Sequence, residues 1–111
     1  MSTVFAKIIR KELPAEVVFE NDLLIAIKDI HPHAPIHILI MPKKEFKDLQ
    51  SVPKKELSIF PQMMEVVQML AKKFGIEHGY RLLTNNGEDA GQTIFHMHFH
   101  LIGGKVLDHL C

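Results

Sequence analysis

Three histidines at alternate positions, in His96-Met97-His98-Phe99-His100, are the residues of this chain best suited to chemistry. On an extended strand, side chains alternate between faces. The three imidazoles then share one face at intervals of about 6.7 Å, while Met97, Phe99 and Leu101 share the other and pack on a core. A row of three polar rings has no packing logic, so a functional role outweighs an incidental one. Two chemistries compete. Imidazole is a common ligand of zinc and copper. At strand rise, however, the outer pair stands more than about 13 Å apart, so one ion cannot take all three. A further ligand would have to be His37 or a carboxylate, and spacing marks neither. Alternatively, a neutral imidazole is nucleophilic at pH 7, and its neighbours can orient it and bind phosphoryl oxygens. The turn Gly91-Gln92-Thr93 favours phosphorus, because such turns expose successive backbone N–H groups that cradle an anion. Thr93 adds a hydroxyl donor and Gln92 an amide.

Several elements must position these groups. Phe5, Ile8 and Ile9 fall at helical spacing and predict a short helix that Pro14 closes off. Val17 to Glu20 and Leu23 to Lys28 read as a hairpin turning at Asn21-Asp22. Beyond the proline-bearing turn His31 to Pro35, Ile36 to Met41 is apolar on both faces except at His37, as in a central strand. Between Lys54 and Phe74, the residues Leu57, Phe60, Met63, Met64, Val67, Leu70, Ala71 and Phe74 form one apolar stripe, the mark of a long helix. Gly75 serves as its C-cap. Pro61 is expected to kink that helix; the alternative is a start at Ser58 that puts Pro61 in the first turn. Tyr80 to Thr84 and Ile94 to Ile102 complete five strands, with the polar loop Asn85 to Gly91 between them. The order predicts an α+β domain, a mainly antiparallel sheet of five strands with one long and one short helix, the long one on one face.

Bulk properties narrow the partners. The 111 residues make a single domain, 1–111, since halves would be too small to bury a core. Lys plus Arg and Asp plus Glu both number 13, so no charge excess points to a nucleic-acid polymer or an anionic membrane. Cys111 is the one cysteine, which leaves no disulfide and no cysteine-based zinc site within one chain. It reads as a free thiol. Without a signal-like or membrane-length apolar run, the expected compartment is the cytoplasm.

The segment from His96 to Ile102 matches the His-x-His-x-His-x-x pattern, x apolar, of the histidine-triad superfamily. The likeness extends through Ile8 to Ala15, Asp29-Ile30, Ala34 to His37, Pro42-Lys43, Gly79 to Arg81, Gly91-Gln92 and Gly103-Gly104. Overall the chain resembles the Hint branch, the histidine-triad nucleotide-binding proteins, more than the fragile-histidine-triad or galactose-1-phosphate uridylyltransferase branches. That resemblance implies a homodimer joined through the long helix and the Tyr80 strand. It also implies a purine nucleoside phosphoramidase without metal or other cofactor. His98 would attack the α-phosphorus and form a nucleotidyl-histidine, while the carbonyl of His96 holds its tautomer. His100 would bind a non-bridging oxygen, and His37 would support the cluster. Gly91, Gln92 and Thr93 would meet the phosphate, and Asp29 and Asn85 the ribose. Phe5, Ile8, Ile27, Ile30 and Leu39 would enclose the base.

Other readings stay open beside it: dinucleoside polyphosphate hydrolysis, a nucleotide-sensing module with weak hydrolysis, and a metal-binding cluster. His31, His33, His78 and His109 read as solvated. Two departures from the family pattern bear on specificity. His31 and His33 stand where relatives commonly carry Ser and Gln, and the Trp- and Pro-bearing tail of eukaryotic members is absent.

Overall fold

The computed structural model describes residues 2–109, so Cys111 and its expected free thiol lie outside the described residues. Helix α1 (Val4–Ile9) leads into strands β1 (Val17–Glu20), β2 (Leu24–Lys28) and β3 (Ile36–Pro42). Helix α2 (Ile59–Lys73) and strands β4 (Tyr80–Leu83) and β5 (Phe99–Gly103) follow. All neighbouring strands run antiparallel in the order β1-β2-β3-β5-β4, which is the α+β sheet expected.

β2 and β3 are buried on both faces because both faces of the sheet are covered. On one side Leu24, Ala26, Ile38, Ile40 and Leu101 pack with Met63, Val67 and Leu70 of α2. On the other, Ile25, Ile27, Leu39 and Met41 pack with Phe5 of α1. The sheet thus carries helix on both sides, and the short helix proves to be a wall of the site rather than an appendage.

Three boundaries differ from the sequence expectation. The long helix starts at Ile59, after a separate 3₁₀ turn over Lys54–Glu56, and Leu57 lies exposed outside it. Pro61 therefore occupies the first turn, where a missing N–H costs nothing. The expected kink has no cause. At the far end Gly75 takes φ 72°, and the N–H groups of Gly75 and Ile76 bond to the carbonyls of Lys72 and Ala71. This is a Schellman closure, which needs a residue that tolerates a left-handed backbone. α1 ends at Ile9 with Arg10 as its C-cap and Lys11 at φ 64°, well before Pro14. Finally, the last strand begins at Phe99 instead of Ile94, so His96 and His98 precede it.

Candidate active site

The late start of β5 changes the geometry of the three histidines. His100 lies in the ladder opposite Leu39 of β3 and Leu83 of β4. His98 sits one step ahead of the paired segment, its carbonyl held by a 2.7 Å hydrogen bond donated by the Thr84 hydroxyl. The His98 and His100 ring centroids are 5.1 Å apart, closer than strand rise alone would place them. His96 is fully buried, its Nε2 2.7 Å from the carbonyl of Pro42. It lines no cavity. The even ladder of three accessible rings is therefore two accessible rings and one internal anchor.

Hydrogen-bond partners fix the tautomers. The carbonyl of His96 lies 2.7 Å from Nδ1 of His98, and a carbonyl only accepts, so Nδ1 carries the proton. Nε2 of His98 is left with its lone pair on the cavity side. The backbone N–H of His33 donates to Nδ1 of His37 at 3.0 Å, so His37 bears its proton on Nε2. That proton points at Nδ1 of His100, 2.9 Å away, with Oδ2 of Asp29 at 3.4 Å beside it. His100 accepts there, which leaves its Nε2–H as a donor. By the same logic the Pro42 carbonyl makes His96 a donor at Nε2, and its buried Nδ1 has no partner among the described residues. His98 and His100 thus present opposite characters: one a lone pair, the other an N–H.

Burial keeps these rings neutral. It lowers the pKa of His37, His96 and His98 below the ordinary imidazole value, chiefly through lost hydration of the charged form. In His100 burial acts together with the like charge that His98 and His37 would carry, and the pKa falls to about 4. Desolvation in one cluster therefore secures one ring with a free lone pair and one with an N–H to donate.

Two cavities meet at His100. A mostly apolar one of about 460 Å³ is lined by Phe5, Ile8, Ile27, Leu39, Thr93 and His98, with Asp29, Ile30 and His33 at its mouth. Phe5 stands edge-on to His98 at 4.9 Å between ring centroids and to His96 at 6.2 Å, so α1 also orients the cluster. Ile30 is 83% exposed, a rim residue. The second cavity, about 470 Å³, shares Asp29, His33 and His100 with the first and extends past Asn85 to Arg81 and Lys105. Asn85 thus joins the site on the opposite side of His100 from the apolar pocket.

The loop before the histidines behaves differently from expectation. Gly91, at φ 92°, donates its N–H to Glu88, and the N–H of Gln92 goes to Gly87, so these groups close their own turn. The Gln92 side chain is buried and fully committed: Oε1 accepts from the Gly87 N–H, and Nε2 donates to the carbonyls of Lys47 and Ile94. Gly91 and Gln92 brace the loop and line neither cavity, and Thr93 alone of the three faces the pocket. Thr84 is the opposite case, a positioning residue that sequence reading passed over. A threonine closing a strand beside the histidines was the available signal.

The structure also assembles a metal-capable group that spacing did not mark. Ligand atoms of Asp29, His37 and His100 all lie within 4.8 Å of one another. Their protonation opposes a cation. To ligate through Nε2, a neutral His37 must carry its proton on Nδ1, where it would confront the N–H of His33. The spacing fits and the tautomers do not.

Fold and site together define a small antiparallel-sheet protein that holds a neutral, oriented imidazole against an apolar cavity. The chain belongs to the HIT domain family, whose sequence model matches residues 10–107. It is 48% identical over 105 residues to a HIT-like protein of Chlamydia pneumoniae, an alignment covering 95% of this chain and 96% of the relative. Among solved structures, it resembles a HIT family hydrolase from Legionella pneumophila (36% identity, 96% of each chain, TM-score 0.93). It also resembles a histidine triad nucleotide-binding protein from Candida albicans (31% identity, 99% of this chain and 86% of that one, TM-score 0.81). A zinc-bound histidine triad family protein from Mycobacterium smegmatis matches at 29% identity and TM-score 0.82, over 100% of this chain and 81% of that one.

Proposed function

We propose that this protein is a purine nucleoside phosphoramidase of the Hint branch, cleaving the P–N bond of a nucleoside monophosphate joined to an amine. The observation that carries the reading is the 2.7 Å bond from Nδ1 of His98 to the carbonyl of His96, which leaves a neutral Nε2 lone pair at the cavity floor. The likeness to a family hydrolase and to a nucleotide-binding relative supports the substrate class.

The base lies among Phe5, Ile8, Ile27 and Leu39, under the rim residue Ile30, with Asp29 towards the ribose and Thr93 beside the phosphate, while Asn85 stands across His100 from the base and away from the ribose. Nε2 of His98 attacks phosphorus. The P–N electron pair leaves with the amine, which takes a proton from water. The Nε2–H of His100 donates to a non-bridging oxygen as charge builds there, and the His33–His37 chain holds that proton in place. Water then attacks the nucleotidyl-His98, releasing the monophosphate and restoring the imidazole. Splitting one displacement into two suits a poor nucleophile such as water. The Hint resemblance adds a homodimer joined along β4, an edge strand of the sheet, and a cytoplasmic setting.

The test is His98→Ala against adenosine phosphoramidates and dinucleoside polyphosphates. Loss of phosphoramidate turnover with AMP binding retained is the expected result. Full activity in the variant would end the proposal, and faster cleavage of dinucleoside polyphosphates by the unaltered protein would move it to the other substrate class.

A further inference from the structure

The second cavity has a composition that the nucleotide does not need. It opens from His100, the ring that faces the reacting phosphate, and runs away from the apolar base pocket towards Arg81 and Lys105. Arg81 reaches it because its register partner is Ile102, which puts its side chain on the same sheet face as His37 and not along the strand edge. One guanidinium nitrogen of Arg81 donates to the backbone carbonyl of Asp108, which fixes its direction. Neither Arg81 nor Lys105 belongs to an ion pair among the described residues.

The carboxylates of the cavity form no ion pair with these cations among the described residues. Oδ1 of Asp29 caps the N–H of His31 and Oδ2 lies beside His37, so both oxygens are engaged. Asp108 is exposed. Cationic donors next to a reacting centre, with an apolar lining from Leu83 and Ile102 between them and His100, suit a short apolar linker ending in an anion.

Resting on the phosphoramidase reading, we propose that this cavity is a leaving-group subsite selecting amines that carry a carboxylate, bound by Arg81 and Lys105. The planar guanidinium with donors to spare matches a carboxylate in two parallel hydrogen bonds, and Lys105 adds a point charge. The leaving amine then departs into the cavity that already holds its other end.

The experiment compares AMP joined through nitrogen to glycine with the same compound as its methyl ester, which differs by one charge. The native protein should favour the free carboxylate by about tenfold in kcat/KM, the scale of one charge-assisted hydrogen bond. Arg81→Gln and Lys105→Gln should each bring that ratio towards one, and Arg81→Lys should restore part of it. A ratio near one in the native protein, or one that both Gln variants leave unchanged, overturns the subsite. If neither compound is cleaved, the phosphoramidase reading falls and binding decides the subsite. Calorimetric titration into His98→Asn should then show tighter binding of the carboxylate compound, abolished by adding Arg81→Gln; equal affinities overturn it.

Discussion

Protonating His100 should measurably loosen the fold, and its replacement should remove that sensitivity. The folded-state pKa is about 4, against an ordinary value near 6.5. The unfolded chain therefore binds a proton at this position between those two values while the native protein does not. Stability from a depressed pKa is fully present above pH 6.5 and is lost as pH falls through the folded value. Integrating over that window gives a loss of about 1.4 kcal/mol at pH 5.5 and about 2.5 kcal/mol at pH 4.5. His100 borders both cavities, so solvent screening trims the second figure to about 2 kcal/mol. For a domain of this length that is a fall in Tm of about 8 °C. Other buried imidazoles contribute in the same direction, since burial also lowers the pKa of His37, His96 and His98. The comparison must therefore be with a variant. His100→Gln keeps an acceptor for the Nε2–H of His37 and has no proton to gain. Urea or thermal unfolding of both proteins at pH 7.5, 5.5 and 4.5 should show the native protein's advantage over the variant shrinking by about 2 kcal/mol across the series. An advantage that stays constant within half that amount would mean that desolvation does not hold His100 neutral, and the account of its donor tautomer would lose its support.

Two further outcomes follow from the bracing and metal arguments. Gln92→Ala leaves the Gly87 N–H and the carbonyls of Lys47 and Ile94 without partners and should cost about 2–3 kcal/mol in urea unfolding, with AMP affinity falling less than stability does. Chelator should leave turnover unchanged, and stoichiometric zinc should neither bind at Asp29, His37 and His100 nor raise turnover, because the His33 N–H on Nδ1 of His37 keeps the proton on Nε2; activation by zinc in a steady-state assay would reverse the assignment.

Most of the fold was legible in the sequence because its elements are locally determined. The apolar stripe of α2, the doubly buried run of β3 and the turn at Asn21-Asp22 each announce themselves within a few residues. The start of β5 did not, because pairing is decided across the sheet: β3 meets this segment only from Phe99 onward and β4 only from His100. The alternation that extends from Ile94 through His100 therefore looked like one strand. The same long-range dependence hid the Asp29–His37–His100 group, whose third member lies more than sixty residues from the other two. The roles of Gln92 and Thr84 were illegible for another reason. An amide or hydroxyl beside a histidine reads equally as a ligand contact or a brace, and only its bonding partners decide. Pro61 was misjudged by a shift of helix start, the least certain boundary in any periodic pattern.

The chain of hydrogen bonds ending at His100 begins on a main-chain amide, that of His33, and not on a side chain. A peptide N–H cannot titrate or reverse its direction, so the polarity of the whole wire is hard-set by the backbone. The imidazole of His33 is thereby freed from that duty while still standing at the junction of the two cavities. Position 33 is thus a place where the chemistry at the mouth can be rewritten without disturbing the orientation of the rings beneath. Among the twenty residues only proline, which lacks the amide proton, would break the wire.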